Sequence, residues 1–150
     1  MPQNPPEGYG RVTPYLYYKD AAAALDFLTS AFGFTEKVRM SDDSGGVAHA
    51  EIAFGDGVVM FGTPREDYKN PKELGGATQL VYVYVDDVDA HFEHAKAAGA
   101  TIIREPEDQF YGDRTYAVAD PEGHEWSFAT HVRDVSPEEM QAATAGATAS

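Results

Sequence analysis

Two residues stand out for their chemistry and spacing: His49 and Glu51, in the stretch V-A-H-A-E-I-A-F at 47–54. On a strand, residues two apart share a face. The pair could anchor a ligand, act as acid and base, or supply two metal ligands. A protein metal site needs three or four convergent ligands, so the pair alone is too few. Two other histidines, His91 and His94, lie three apart in a helical stretch and are expected to face solvent. His124, Glu125 and His131 cluster at the last strand, where His131 could cap the strand end. Asp113-Arg114 reads as a surface ion pair, or else as a rim contact to ligand. The chain has no cysteine, which excludes disulfides and thiolate-held metals. No G-x-S-x-G elbow and no phosphate loop occurs, and nothing in the spacing around Ser127 supports acyl transfer.

Tyrosine is the other chemically informative residue. It offers flat apolar area with one hydroxyl. Tyr15 and Tyr17 alternate in one β-rich stretch, and Tyr82 and Tyr84 alternate in a second. Tyr111 and Tyr116 complete the candidate aromatic set. Two readings stand: the tyrosines line a cup for a planar ligand, or they fill a barrel or a dimer seam, because tyrosine favours sheets in any case.

The elements that would position these residues read as a duplication. Residues 12–20 (VTPYLYYKD) and 80–87 (LVYVYVDD) are strand-like and end in acidic residues. A helical stretch follows each, at 21–32 and 88–98, and each stops at a glycine, Gly33 or Gly99. Second strands are expected at 35–40 and 101–104, third strands at 47–54 and 114–119, and fourth strands at 58–61 and 125–129. Tight turns, G-D-G and D-P-E-G, separate the last two in each half. The halves are 11–62 and 79–132. The prolines and paired glycines of 63–78 mark a linker, either a lid or a tether. Residues 1–10, rich in proline and glycine, read as a flexible lead. Ser136-Pro137-Glu138-Glu139 starts a helix with a capping box, within a C-terminal helix and tail at 133–150. Strand parity puts Val81, Val83, Val85, Trp126 and Phe128 toward the helices. It puts Tyr15, Tyr17, Leu80, Tyr82, Tyr84 and Ser127 on the concave side.

Composition narrows the function. At 150 residues the chain suits one domain. Its net charge of −14, from 11 basic and 25 acidic residues, repels phosphate backbones, so nucleic acid is not an expected partner. Acidity favours solubility, or a cationic ligand at long range. No apolar run reaches membrane-spanning length and the start is unlike a secretory signal, so no membrane partner and a cytoplasmic location are expected.

With its duplicated halves, the chain resembles the vicinal oxygen chelate superfamily of glyoxalase I, bleomycin-resistance proteins and extradiol dioxygenases. The resemblance spans about residues 11–132 and is carried by GVAHAEIAFG at 46–55 and GDRTYAVADPEGHEWSFATHV at 112–132, whose D-P-x-G turn precedes the final strand. It implies an α+β fold in which two βαβββ modules form an eight-stranded curved sheet or cup, often in a homodimer. Enzymes of the superfamily hold a divalent metal with His, Glu or Gln on the first and last strand of each module. The matching places here are Thr13, Met60 or Phe61, Leu80 (Gln79 if the register slips by one) and Ser127. Met, Phe and Leu do not bind hard divalent ions usefully, so the usual metal site is expected to be missing. The resemblance therefore implies a metal-free, cofactor-free protein of the bleomycin-resistance kind. It would sequester an aromatic small molecule, with Tyr15, Tyr17, Tyr82 and Tyr84 stacking, Phe61 and Leu80 as an apolar wall, and His49, Glu51 and Ser127 as polar anchors. The alternative is a lyase, isomerase or dioxygenase with an atypical metal or acid/base site.

Overall fold

A computed structural model describes residues 2–149. The first module runs β1 (Tyr15–Tyr17), α1 (Ala21–Phe32), β2 (Thr35–Ser41), β3 (Val47–Phe54) and β4 (Gly57–Gly62). A short α2 (Pro71–Leu74) interrupts the linker. The second module runs β5 (Leu80–Tyr84), α3 (Val88–Ala97), β6 (Thr101–Asp108), β7 (Asp113–Ala119) and β8 (Glu125–His131), followed by α4 (Pro137–Ala149). The duplication read from the sequence is therefore present: the fold is α+β and built from two βαβββ modules.

The eight strands form two four-stranded sheets ordered β1-β4-β3-β2 and β5-β8-β7-β6. In each, the first strand runs parallel to the last, and the remaining neighbours are antiparallel. A groove between the edge strands β1 and β5, lined by Thr13, Tyr15, Leu80 and Tyr82 among others, marks the seam between the sheets.

The acidic residues that close each strand-like stretch are helix caps. The Asp20 carboxylate accepts from Ala23 N at 3.0 Å, and that of Asp87 accepts from Ala90 N at 3.1 Å. Each satisfies a backbone donor that the first helical turn leaves unpaired. Helix α1 ends at Gly33, whose φ of 81° is left-handed.

Both helices cover the same side of the sheets. Leu16, Ala50, Ile52, Phe61, Tyr116, Val118, Trp126 and Phe128 point to that side and are buried in one core shared by both modules. Phe32 of α1 reaches across to Trp126 and Phe128, with ring centroids 5.6 and 4.9 Å away. The buried Leu, Ile, Val and Phe side chains among these each contribute about 1.5–3 kcal/mol. Two expected site residues therefore belong to the core. Phe61 pairs with Leu16 and Ala50 in the ladder and is fully buried. It is Met60, one step away, that faces the helix-free side. Tyr116 lies opposite Phe128 and donates its hydroxyl to His91 Nδ1 at 2.6 Å. Nor does His91 face solvent. Its Nε2 meets the Phe32 carbonyl at 2.7 Å, and burial lowers its pKa from 6.5.

The D-P-E-G turn locks the modules together. Asp120 is buried and accepts from Tyr18 Oη at 2.6 Å and Trp126 Nε1 at 3.1 Å. The Glu122 carboxylate accepts from the backbone N–H groups of Lys19 and Asp20 at 2.7 and 2.9 Å. The Glu122 carbonyl accepts from Lys72 N of the linker helix.

Candidate functional site

The helix-free faces hold the chemistry. On β1, Tyr15 and Tyr17 flank the buried Leu16 and are 45% and 47% exposed; on β5, Tyr82 and Tyr84 are 39% and 58% exposed. All four therefore lie on the face that parity assigns them. Within each pair the rings meet edge to face, at 5.7 Å for Tyr15–Tyr17 and 5.5 Å for Tyr82–Tyr84. Tyr68 of the linker adds a third ring, 5.7 Å from Tyr17, and its hydroxyl donates to the Tyr17 carbonyl at 3.2 Å. Leu80 is half exposed at the sheet edge. Ser127, opposite Tyr82 in the ladder, is buried and forms part of the floor.

In module one a carboxylate sits beneath the tyrosines. Glu51 is 8% exposed on the central strand β3. Its Oε2 accepts from His49 Nε2 at 2.8 Å, and its Oε1 accepts a short hydrogen bond from the Tyr9 hydroxyl. Because a carboxylate only accepts, His49 must carry its proton on Nε2. His49 Nδ1 faces the Tyr15 hydroxyl at 3.0 Å, a group that can donate or accept. Gly62 lies opposite both His49 and Tyr17 in the ladder. A Cβ there would come within 2.6 Å of the Tyr15 hydroxyl, so only glycine leaves room for Tyr15 to lean toward His49. Burial pushes the Glu51 carboxyl up, but the bonds from His49 and Tyr9 outweigh it and hold the pKa below 4.5.

Module two carries a matching carboxylate that the sequence reading treated as part of a surface ion pair. Asp113 is buried at the start of β7. Its Oδ2 accepts from the hydroxyls of Tyr82 and Tyr84 at 2.6 and 2.9 Å. Its Oδ1 lies 2.8 Å from His131 Nδ1, and His131 Nε2 lies 2.8 Å from Asp134 Oδ1. Both ring nitrogens face carboxylates, an arrangement that favours the imidazolium form of His131. Its pKa is raised from 6.5 by the hydrogen bonds to Asp134 and Asp113. Burial raises the Asp113 carboxyl, while its bonds from Tyr82, His131 and Tyr84 bring it below 3.8 overall. The Tyr82 phenol is pushed far above 10 by burial, then by Asp113 and the neighbouring Tyr111. Arg114 turns away, to Asp89 and Asp108.

The structure thus brings together Tyr15, His49 and Glu51 in one module and Tyr82, Tyr84 and Tyr111 in the other. It places Tyr17, Leu80 and Ser127 on the same helix-free side and removes Phe61 and Tyr116 to the core. Sequence reasoning missed Tyr9, and it named Asp113 and His131 without joining them. Asp113 and His131 are direct ladder partners, and extending both strands by parity would have paired them. Tyr9 lies 42 residues from Glu51 and carried no local signal.

The chain belongs to the Glyoxalase/Bleomycin resistance protein/Dioxygenase superfamily, whose family model matches residues 8–128. It is 39% identical over 137 residues to the uncharacterized protein Rv0887c of Mycobacterium tuberculosis, covering 88% of this chain and 81% of that one. Among solved structures it is similar to TioX from Micromonospora sp. ML1, with 36% identity, a TM-score of 0.68, and coverage of 82% of this chain and 99% of that one. A glyoxalase/bleomycin resistance protein/dioxygenase family enzyme from Burkholderia phytofirmans shares the fold at 22% identity and a TM-score of 0.63, over 80% and 97% of the two chains.

The superfamily's divalent ion does not fit the donors present here. Of the places that correspond to its ligands, Met60 offers a thioether opposite Tyr15 and Glu51, and Leu80 an alkyl group. Thr13 and Ser127 offer only neutral hydroxyls. Hard divalent ions want carboxylate or imidazole ligands at those points. Among the described residues no group of three or more His, Asp or Glu is arranged to hold a metal ion.

Proposed function

We propose that the protein sequesters a planar aromatic small molecule on its tyrosine-lined face, without metal or other cofactor. The observation that carries this reading is the row Tyr15, Tyr17, Tyr82 and Tyr84 on two adjoining edge strands, each more than a third exposed. A contiguous exposed apolar surface on a soluble domain marks a binding site, and aromatic faces stack on planar ligands whatever their detailed substitution. The hydroxyls of Tyr82 and Tyr84 are held by Asp113, which fixes their rings before a ligand arrives. Preorganised rings lose little freedom on binding. The protein is further taken to act as a homodimer in which the helix-free faces of two copies complete the cup. A native mass spectrum showing only monomer would remove that part of the reading.

The test is a titration of the intact protein with a panel of aromatic antibiotics and related natural products. Tyrosine emission is the appropriate reporter, because Trp126 is buried in the core. At least one compound should quench that emission and raise Tm. A broad panel that does neither would overturn sequestration.

One observation favours a second reading. The chain Tyr15–His49–Glu51, at 3.0 and 2.8 Å, has the form of a proton relay at an exposed hydroxyl. If it works as a metal-free acid/base, a bound compound recovered after incubation will have changed in mass or, for an isomerisation, in its NMR spectrum. A compound unchanged by both favours sequestration.

A further inference from the structure

Tyr9 differs from Tyr15, Tyr17, Tyr82 and Tyr84 because it does not belong to the sheet, and it alone bonds Glu51 from outside it. Its hydroxyl donates to Glu51 Oε1, and the Lys37 ammonium sits 4.8 Å from its ring centroid. Ala53 and Val58 line the groove beside it, together with Gly8, Gly10, Gly55 and Asp56. The site around Tyr9 thus has three parts: a buried carboxylate to take a hydroxyl proton, a cation against an aromatic face, and an apolar floor. These are the parts that recognise a phenol.

The segment that delivers Tyr9 is lightly held. Its backbone N–H turns back to the Pro6 carbonyl at 3.1 Å instead of joining a ladder. Gly8, with φ 86°, precedes it, and Gly10 follows. Glu51, by contrast, is fixed in the ladder between Val38 and Met60, and its other oxygen is taken by His49. Tyr9 can therefore leave while the site stays.

We propose that Tyr9 is a built-in occupant of a hydroxyaryl subsite, and that a ligand bearing a phenol displaces it to donate to Glu51 and pack against Lys37. This rests on the sequestration reading and names the ligand chemistry: a hydroxylated aromatic ring, not merely an aromatic one. Residues 8–10 act as a strap that keeps the carboxylate satisfied until the ligand arrives.

The experiment uses the full chain and two simple probes, 4-methylphenol and toluene, titrated by NMR with the His49, Glu51 and Lys37 signals observed. Tyr9→Ala should bind 4-methylphenol at least about tenfold more tightly than wild type, the size expected when a charge-assisted hydrogen bond no longer has an internal competitor. Toluene should bind both proteins more weakly than 4-methylphenol binds Tyr9→Ala. Adding Glu51→Gln to Tyr9→Ala should remove most of the gain. Tyr9→Phe, which keeps the ring and the fold, should show a smaller gain in the same direction. Equal affinity of wild type and both Tyr9 variants for 4-methylphenol, or equal affinity of Tyr9→Ala for the two probes, would overturn the subsite. Failure of the natural-product panel with success here would leave the subsite and remove sequestration; the reverse would keep sequestration and remove the subsite.

Discussion

The helix-free faces of the two modules each carry a carboxylate, a histidine and tyrosines, yet the two sets are held differently. The three side chains that bond the Asp113 carboxylate all lie on strands: Tyr82 and Tyr84 on β5, His131 on β8. The histidine is flanked by two carboxylates, which raise its pKa. Around Glu51 one donor, His49, lies on the same strand, while the other arrives on a segment outside the sheet. His49 faces one carboxylate and one hydroxyl. The frame occurs twice, but the polar sets differ. One is built into the sheet and steadies its rings. The other has an exchangeable partner, which is what a binding site needs.

The largest effect that would test this comparison is on stability. Asp113→Ala leaves two hydroxyls and an imidazolium without their acceptor, and should cost about 2–4 kcal/mol in urea unfolding. Glu51→Ala should cost about half as much, because Tyr9 can swing to water with its segment. Equal losses would break the contrast between a built-in and an exchangeable cluster. Next in size are effects on binding: Tyr82→Ala and Tyr84→Ala should each weaken any ligand of the panel about tenfold by lost stacking, measured by tyrosine quenching. If only module-one substitutions matter, the ligand does not span the seam.

The smallest effects lie in pH dependence, and they sharpen the comparison between histidines. His131 has a raised pKa. Its contribution to stability is therefore complete below pH 6.5 and lost as pH rises through its folded value. His91 has a lowered pKa. It makes stability fall as pH drops below 6.5, because the unfolded chain takes up that proton first. In an NMR titration His131 should turn over above 6.5 and His91 below it. His131→Gln should flatten the alkaline side of the stability profile and leave the acid side. On that acid side, Glu51 and Asp113 both have lowered values. Their stabilisation is present above their unfolded values and is lost as pH falls through the folded ones. A profile without loss below about pH 4 would contradict the hydrogen-bonded carboxylates.

Much of the fold was legible because the signals are local and repeated. Helix α1 begins and ends where its apolar spacing, Asp20 and Gly33 place it, and β3 runs over the expected 47–54. Helix α3 stops at Ala97, one residue before the expected end, with Gly99 at φ 94° just beyond. Strand β6 reaches Asp108, well past the expected 104, because its ladder with β7 continues across two irregularities in register. No single-strand pattern shows such a bulge. Parity sorted Tyr15, Tyr17, Tyr82 and Tyr84 correctly, since alternation survives any tertiary context. It failed where it was not applied. Phe61 was placed on the cup although Met60 holds that parity, and Tyr116 shares the helix-facing side with Val118.

The linear chain by itself determined the duplication, the capping of both helices, and an alternation that sends tyrosines one way and valines the other. These follow from residue type and near-neighbour spacing. Whether His49 and Glu51 stood alone was a matter for the tertiary structure. Residues 8–10 return over β3 to bring Tyr9 to Glu51, and β7 lies against β8 to bring Asp113 to His131. Hydrogen bonds across 42 and 18 residues depend on the path of the chain, and spacing cannot announce them. His49 and Glu51 thus belong to a four-residue cluster with Tyr15 and Tyr9, and its one member outside the sheet is the tyrosine from the lead.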